Sequence, residues 1–507
     1  MFCKNKFFIF DMENKKINLQ KNLWFEKIFG NKQFIIIMFL LFLPSAFQQL
    51  ITTSVSYVDT FFIASFAPSQ INGEFVDSAR VIAKTSIGIA MSIINLPIMV
   101  IFGVTSGIGV MTAQYYGAKD QNRLQQTIIY KMLIGFVLIF PFILLFMIIP
   151  EKLVAVSRNV FNPENNSYDF YINKIASIYL FWSGLSFIFV LLTYTYAYSC
   201  REVNQQKYAL IAAIISVIVN VVLDPLLIIF ETNLENAIIN IALSTSVASI
   251  VEFCVMLLFI YLKKEHYLMI KDFKLDWLTF KITIKNSWQA ILNDALYGLA
   301  TLFLTICLLV YSTNYHDAFT TVSIIIQFAV IIFPGMGASS AVLIGNELGK
   351  NNIIQAKKNS YYLIIWGSLI TFLFAVILFG LSWFINPLLS PPPKNLLLNS
   401  SFDNWQQNQI IAKQLEWIMM PVIFSQGMFS ILYFSIKSGG SKFIFFTDGF
   451  VMIIWCFLFG GLIFSKVINE QNIHPSLLFF LIELNQIVKA MISLIFYKCT
   501  NWAKNVT

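Results

Sequence analysis

The stretch GVTSGIGVMTAQYYGAKD (103–120) leaves a long apolar run through a series of small residues and stops in a polar turn. A second stretch, GMGASSAVLIGNELGKNN (335–352), does the same. The two superpose at a constant offset of 232, with Gly103 on Gly335 and Gly117 on Gly349. Around them, apolar runs of about 20 residues or more, the length that crosses a bilayer, recur to the end of the chain. Counted between polar breaks they give twelve spans: 34–66, 81–115, 124–150, 172–199, 208–230, 237–262, 286–312, 318–345, 355–386, 412–436, 443–465 and 476–498. The repeat copies end the second and the eighth span. Six spans apart is an even number, so both halves enter the membrane from the same side and are expected to be related by a pseudo-twofold axis along the membrane normal.

Composition excludes a soluble protein. Of 507 residues, 58% are hydrophobic and only 12% charged, with a mean hydropathy of +0.73; soluble domains carry about 25% charged residues. The 51 Phe, 20 Tyr and 10 Trp suit lipid contact and the two membrane interfaces, not base stacking. The net charge of +8 reports topology rather than nucleic acid. With the N-terminus inside, cytoplasmic segments hold 24 of the 34 Lys and Arg and external ones 8, with Lys131 and Lys489 inside helices; a miscount by one helix would collapse this bias. The expectation is an all-α polytopic protein of the cell membrane with both termini cytoplasmic. Its organisation reads as an N-terminal segment (1–33), an N-lobe of six helices (34–262), a basic linker (263–285), a C-lobe of six helices (286–498) and a tail (499–507). The seven Lys of 1–33 lead into an apolar run too long for a signal-peptide core, with no small-residue cleavage site, so the first helix is expected to be retained. KNKFFIFDMENKK (4–16) suits either a membrane surface or a disordered segment. An external loop near 387–411 contains Pro391, Pro392 and Pro393.

Most enzyme chemistries find no footing. The six Cys are scattered without a CxxC pair, and His266, His316 and His474 fall in loops or at helix ends, which removes a His-based metal site or a Ser-His-Asp triad from the membrane interior. GVTSG, GMGASS and GNELG do not make the G-x4-G-K-[ST] pattern of a phosphate loop, Lys350 after GNELG being one residue too close and followed by Asn351, and they suit close helix packing. No cofactor is expected.

Acids inside the bilayer are the informative residues, because an Asp at a helix centre costs about 2.5–3.5 kcal/mol on insertion scales. Asp59 in the first span, Asp224 in the fifth and Asp294 in the seventh are the strongest candidates to line a substrate cavity; Glu252, Asp448 and Glu483 suit snorkelling or pairing, the last with Lys489. Asn220 and Asp224, spaced i and i+4, share one helix face. Pro225 removes an amide and is expected to bend or open the helix there. Such a set of oxygens suits a hard cation such as Na⁺, or a proton on a carboxylate; equally, the pair could simply bridge helices by hydrogen bonds.

At this point five motifs, in order, resemble the multidrug and toxic compound extrusion (MATE) transporters. They are LPSAFQQLITTSVSYVDTFFI (43–63), AQYYGAKD (113–120), NVVLDPLLI (220–228), GNELGKNN (345–352) and KSGGSK (437–442). The resemblance implies twelve helices in two six-helix lobes around a cavity that opens alternately to either side. It also implies export of cationic, lipophilic organic compounds in exchange for Na⁺ or H⁺. It assigns ion coupling to Asp59, Asn220 and Asp224, and to Thr245 as a sixth-helix hydroxyl, the four being the candidate Na⁺ ligands. Asp294 is similar to an acid found early in the seventh helix of some branches. Ala237 and Asn240 stand where the family usually has glycines, and GGS (439–441) where many relatives have Gly-Gly-Asp. Small organic cations and the lipid bilayer are the expected partners, and a monomer the expected state. The rival reading is a flippase for an anionic lipid-linked precursor; its cavity should display Arg or Lys, whereas the mid-membrane charges here read as mainly acidic.

Overall fold

The computed structural model describes residues 26–66, 68, 70–71, 74–75, 79–161, 167–270, 275–311, 315–329, 331–389, 399–440, 443–468 and 472–507. The segment 4–16, the Pro391–Pro393 run, Lys271, Lys274 and Lys442 lie outside these residues.

Among the described residues twelve helical passes follow one another. The first six are Lys32–Phe66, Ala79–Ala118, Gln121–Ile148, Ser167–Glu202, Gln206–Ile228 and Leu234–Leu262. The seventh is Trp277–Tyr311, and the eighth is assembled from His316–Ala329, Ile332–Ser340, a π turn at Ala341–Gly345 and Asn346–Gly349. The ninth and tenth are Ile353–Leu389 and Asn399–Ser438. The eleventh runs through Ile444–Thr447, Gly449–Trp455, a π turn at Cys456–Gly460 and Gly461–Phe464, and the twelfth is Pro475–Cys499. Among the described residues ten helices are individually long and apolar enough to cross a membrane, the seventh and eighth passes not being among them. The chain is thus an all-α, multi-pass membrane protein. A short helix, Pro150–Phe161, separates the third and fourth passes, and a two-residue hairpin pairs Gln70–Ile71 with Glu74–Phe75 after the first.

Local chemistry sets the ends. Asp120 and Asn233 cap the third and sixth passes by accepting the amides of Arg123 and Glu235, each at 3.1 Å. The seventh pass begins nine residues before the apolar run does, because Asp276 caps it. Asp276 accepts the Thr279 hydroxyl at 2.6 Å and the Thr279 amide at 3.0 Å, contacts that hold its carboxyl below the usual range, the Thr279 hydroxyl foremost.

The repeat read from the sequence reappears hydrogen bond by hydrogen bond. At the end of the second pass Lys119 is left-handed (φ 61°), the Asp120 amide donates to the Tyr115 carbonyl (3.0 Å) and the Lys119 amide to that of Tyr116 (3.1 Å). At the end of the eighth, Asn351 is left-handed (φ 61°). There the Asn352 amide donates to Glu347 and the Asn351 amide to Leu348, both at 2.9 Å. Each position is the other plus 232, and each pair of bonds is a Schellman stop.

The same two helices cross here. A Cβ on Gly117 would lie 2.1 Å from the Asn346 carbonyl oxygen, and one on Gly349 2.0 Å from that of Gln114. Since Gln114 and Asn346 are also 232 apart, the second contact is the first one seen through the pseudo-twofold axis. This is the self-complementary pattern of an isologous interface.

The packing is asymmetric along the membrane normal. One buried cluster, built on Ile63, Ile94, Tyr179 and Ile241, draws only on the first half of the chain, and another, on Leu304, Val322, Met419 and Phe479, only on the second. A third joins Met38, Leu41 and Phe42 of the first pass to Ile344, Tyr433 and Trp502. The halves therefore share a core toward the end that bears Lys119 and Lys350, called the basic end below. Outward, side chains such as Val137, Phe230, Ile354 and Phe457 are exposed, an apolar girdle of the kind lipid covers.

Candidate ion-coupling site and central cleft

Four polar residues read from the sequence converge inside the first six passes. Asp59, Asn220 and Asp224 are each fully buried. Asp59 and Asp224 lie within interacting distance of each other and Asn220, and the buried Tyr179 is within electrostatic reach of both acids. Thr245 donates to Asp59 Oδ2 at 3.1 Å, and Asn220 Nδ2 to Asp224 Oδ1 at 3.4 Å. The fifth pass runs through Pro225 to Ile228, so the expected opening is confined to the one amide bond that proline cannot make.

Sequence reasoning missed Ser244, whose hydroxyl donates to Asp224 Oδ1 and to the Ile241 carbonyl. Its signal was the hydroxyl run Ser244-Thr245-Ser246, from which only the middle member was singled out. Asn240 donates to Glu231 Oε1 (2.9 Å) and to the Leu227 carbonyl (3.1 Å), tying the fifth and sixth passes together below the cluster; a glycine there could not do this.

What the cluster lacks is as informative. Asp59 Oδ1, Asp224 Oδ2 and Asn220 Oδ1 are buried with no hydrogen-bond donor, and among the described residues neither acid joins an ion pair. Buried oxygens are normally satisfied, and two neighbouring carboxylates repel unless a proton or cation lies between them. Two carboxylates, an amide oxygen and a hydroxyl form a hard, all-oxygen donor set.

Asp294 departs from expectation. It sits in a charge-compensated network that joins the last six passes to Ser106 of the second, with Lys437 Nζ 3.3 Å from Oδ2. Oδ1 accepts the Tyr433 hydroxyl (2.9 Å) and Asn293 Nδ2 (3.0 Å), and Oδ2 the Ser106 hydroxyl (3.3 Å). It presents no free charge to a cargo cation. Asn293 links this network to Asp448 Oδ2 at 3.1 Å, and Asp448 is paired with Lys489 at 2.7 Å. The partner of Lys489 is therefore Asp448 and not Glu483, which stands six residues away on the same helix, some 240° around it at 3.6 residues per turn. Glu202, likewise buried, is paired with Lys131 at 2.5 Å.

A second correction concerns the basic residues. Lys437 and Arg201, counted with the cytoplasmic segments, are both turned inward: Lys437 is 2% and Arg201 5% exposed. Both line a cleft between the halves, together with Ser106, Tyr198 and Phe434. Long side chains carry a charge well away from their own Cα, so position in the sequence did not reveal where these charges lie.

Residues 44–226 match the family model MatE. A curated relative, the probable multidrug resistance protein YoeA of Bacillus subtilis, is 22% identical over 266 residues, or 50% of this chain. The chain spans about half the length, 54%, of that relative. Among solved structures, the Vibrio cholerae MATE transporter VcmN superposes with a TM-score of 0.72 at 16% identity, covering 94% of this chain and 98% of its own. A MOP superfamily transporter from Pyrococcus furiosus, described as having a binding pocket of reversed polarity, gives 0.71 at 13% identity, covering 91% and 95%. At these identities the structures establish the shared fold.

Proposed function

We propose that this chain, which belongs to the MatE family through residues 44–226 and has the fold of solved MATE transporters, is a secondary active antiporter. In this reading it exports lipophilic organic cations in exchange for Na⁺ or H⁺. The observation that carries the reading is the group of three donorless oxygens on Asp59, Asp224 and Asn220, buried together with no basic neighbour bound to them among the described residues. Negative charge in a low-dielectric interior demands a cation, and one cation can satisfy it where two would repel. Binding of Na⁺ or H⁺ to the pair thus opposes retention of a cationic cargo nearby, and the two exchange.

With the basic end in the cytoplasm, the state described here is closed on the cytoplasmic side. In this outward-facing state Na⁺ or H⁺ neutralises the acids and the cargo leaves outward. After reorientation the ion departs inward and the next cargo enters. Thr245 and Ser244 orient the two carboxylates through the hydroxyls they donate. The protein is expected to act as a monomer in the cell membrane, with both termini cytoplasmic. The name of the Bacillus subtilis relative favours drug export over flipping of a lipid-linked precursor.

The test is export of a fluorescent organic cation from proteoliposomes under an imposed Na⁺ or H⁺ gradient. Asp59→Asn and Asp224→Asn should each abolish gradient-driven export while the protein still inserts. Full activity in both variants refutes the reading, and imposing the two gradients separately identifies the coupling ion.

A further inference from the structure

Four cationic side chains are buried among the described residues: Lys131, Arg201, Lys437 and Lys489. Three are matched by acids, Lys131 with Glu202 (2.5 Å), Lys437 with Asp294 (3.3 Å) and Lys489 with Asp448 (2.7 Å). Arg201 has no such partner among the described residues. Its Nη2 donates to the neutral Gln48 Oε1 at 2.8 Å, its guanidinium lies 4.5 Å from the centre of the Tyr198 ring, and Nε and Nη1 have no acceptor among the described residues. Glu202, its neighbour in sequence, is committed to Lys131, and Glu252 of the sixth pass feels the charge of Arg201 without forming an ion pair with it.

An unpaired guanidinium that is 5% exposed is unfavourable unless something compensates it. Arg201 lines the cleft between the halves, so the compensating group can be a ligand. The cleft fixes its chemistry. Of the charged walls, Lys437 and Glu202 are already neutralised, leaving one net positive charge, which calls for a monoanion. The guanidinium offers planar N–H donors suited to a carboxylate. The remaining walls include the Tyr198 and Phe434 rings and the small residues Gly337, Ala338 and Ala341, an apolar surface for a flat hydrocarbon body.

We propose that the cleft contains an anion site centred on Arg201 that binds the carboxylate of a monoanionic aromatic compound, in addition to the cation site at Asp59 and Asp224. The two sites lie on opposite sides of the charge ledger, so the transporter accepts compounds that carry an anionic group, zwitterions included. This does not depend on which ion drives transport.

The experiment is equilibrium binding of radiolabelled benzoate, and of the neutral isostere benzamide, to the purified full chain in detergent with no gradient present. The wild type is expected to bind benzoate saturably and roughly tenfold or more tighter than benzamide. Arg201→Gln should lose that preference and Arg201→Lys should restore part of it, both variants being checked for monodispersity and thermal midpoint. Benzoate should also protect Arg201 of the wild type from phenylglyoxal, read by mass spectrometry of the Arg201 peptide, which keeps the test decisive if Arg201→Gln fails to fold. Equal binding of benzoate and benzamide, no saturable benzoate binding, unchanged benzoate affinity in a folded Arg201→Gln, or unprotected Arg201 each overturns the proposal. Failure of cation export in the proteoliposome assay would sink the antiport reading and leave these results standing.

Discussion

Ser244 and Thr245 are consecutive on the sixth helix yet serve different carboxylates, Ser244 donating to Asp224 and Thr245 to Asp59. The i+1 step of 100° turns one hydroxyl toward the fifth pass and the other toward the first, so two neighbouring residues hold both acids in register. Removing either donor leaves a buried carboxylate oxygen short of a hydrogen bond, which for a charged acceptor is worth about 1.5–3 kcal/mol. If a proton or Na⁺ recovers part of that, Ser244→Ala should change the ion concentration for half-maximal export by roughly three- to tenfold. Ser246, whose hydroxyl among the described residues bonds only the Ala242 carbonyl at 2.7 Å, is the control: Ser246→Ala should leave it unchanged, and equal effects from both would show that Ser244 is not part of the site. The acids themselves were legible in the sequence because an Asp in a bilayer needs a reason to be there. Ser244 was not, since a serine in a membrane helix satisfies itself on the preceding turn and costs nothing noticeable. Asp294 was legible as a buried acid but not as a neutralised one, because Lys437 lies 143 residues away in the chain and sequence spacing says nothing about such a pairing.

At the scale of elements, the crossing of the second and eighth helices carries the symmetry of the molecule. The repeated left-handed residues Lys119 and Asn351 stop both helices at matched points, and Gly117 and Gly349 let the backbones meet there at a distance no side chain permits. A methyl at either glycine forces the helices apart, and such overpacking costs about 1–3 kcal/mol. Gly117→Ala and Gly349→Ala should therefore lower unfolding stability in mixed micelles by similar amounts. Their combination should cost clearly less than the sum, because the first methyl already separates the pair that the second would clash with. Strict additivity, or a large difference between the single variants, would mean the two contacts are not equivalent. This crossing was foreshadowed by the offset of 232, which is a property of residue types. The π turns at Ala341–Gly345 and Cys456–Gly460 were not, since a single extra residue in a helical turn leaves hydropathy and periodicity almost untouched.

Across the whole molecule, the two halves keep separate cores at one end and share one at the other, so the alternating access proposed above would require the shared end to come apart. Gln114 bridges that shared end. From the second helix its Nε2 donates to the Ser438 carbonyl of the tenth at 2.8 Å and to the Lys504 carbonyl at 3.2 Å. Its Oε1 accepts the Val506 amide at 2.8 Å. Residues 502–506 are in turn held by the buried Trp502, stacked on Tyr497, and by Asn505 Nδ2 on Asn351 Oδ1 at 2.7 Å. One amide thus joins three segments across the closed end. Gln114→Ala removes all three bonds without touching the acids or Arg201, and each net hydrogen bond contributes about 0.5–1.5 kcal/mol. A shift of even 1.4 kcal/mol changes the ratio of closed to open populations about tenfold. Labelling of a cysteine placed at Val110, which lines the cleft, should report this: an impermeant maleimide added from the basic end should react several-fold faster in Gln114→Ala than in the parent. The comparison is made with the native cysteines replaced. Equal rates in a folded variant would mean that the shared core alone, and not this polar latch, holds the end shut.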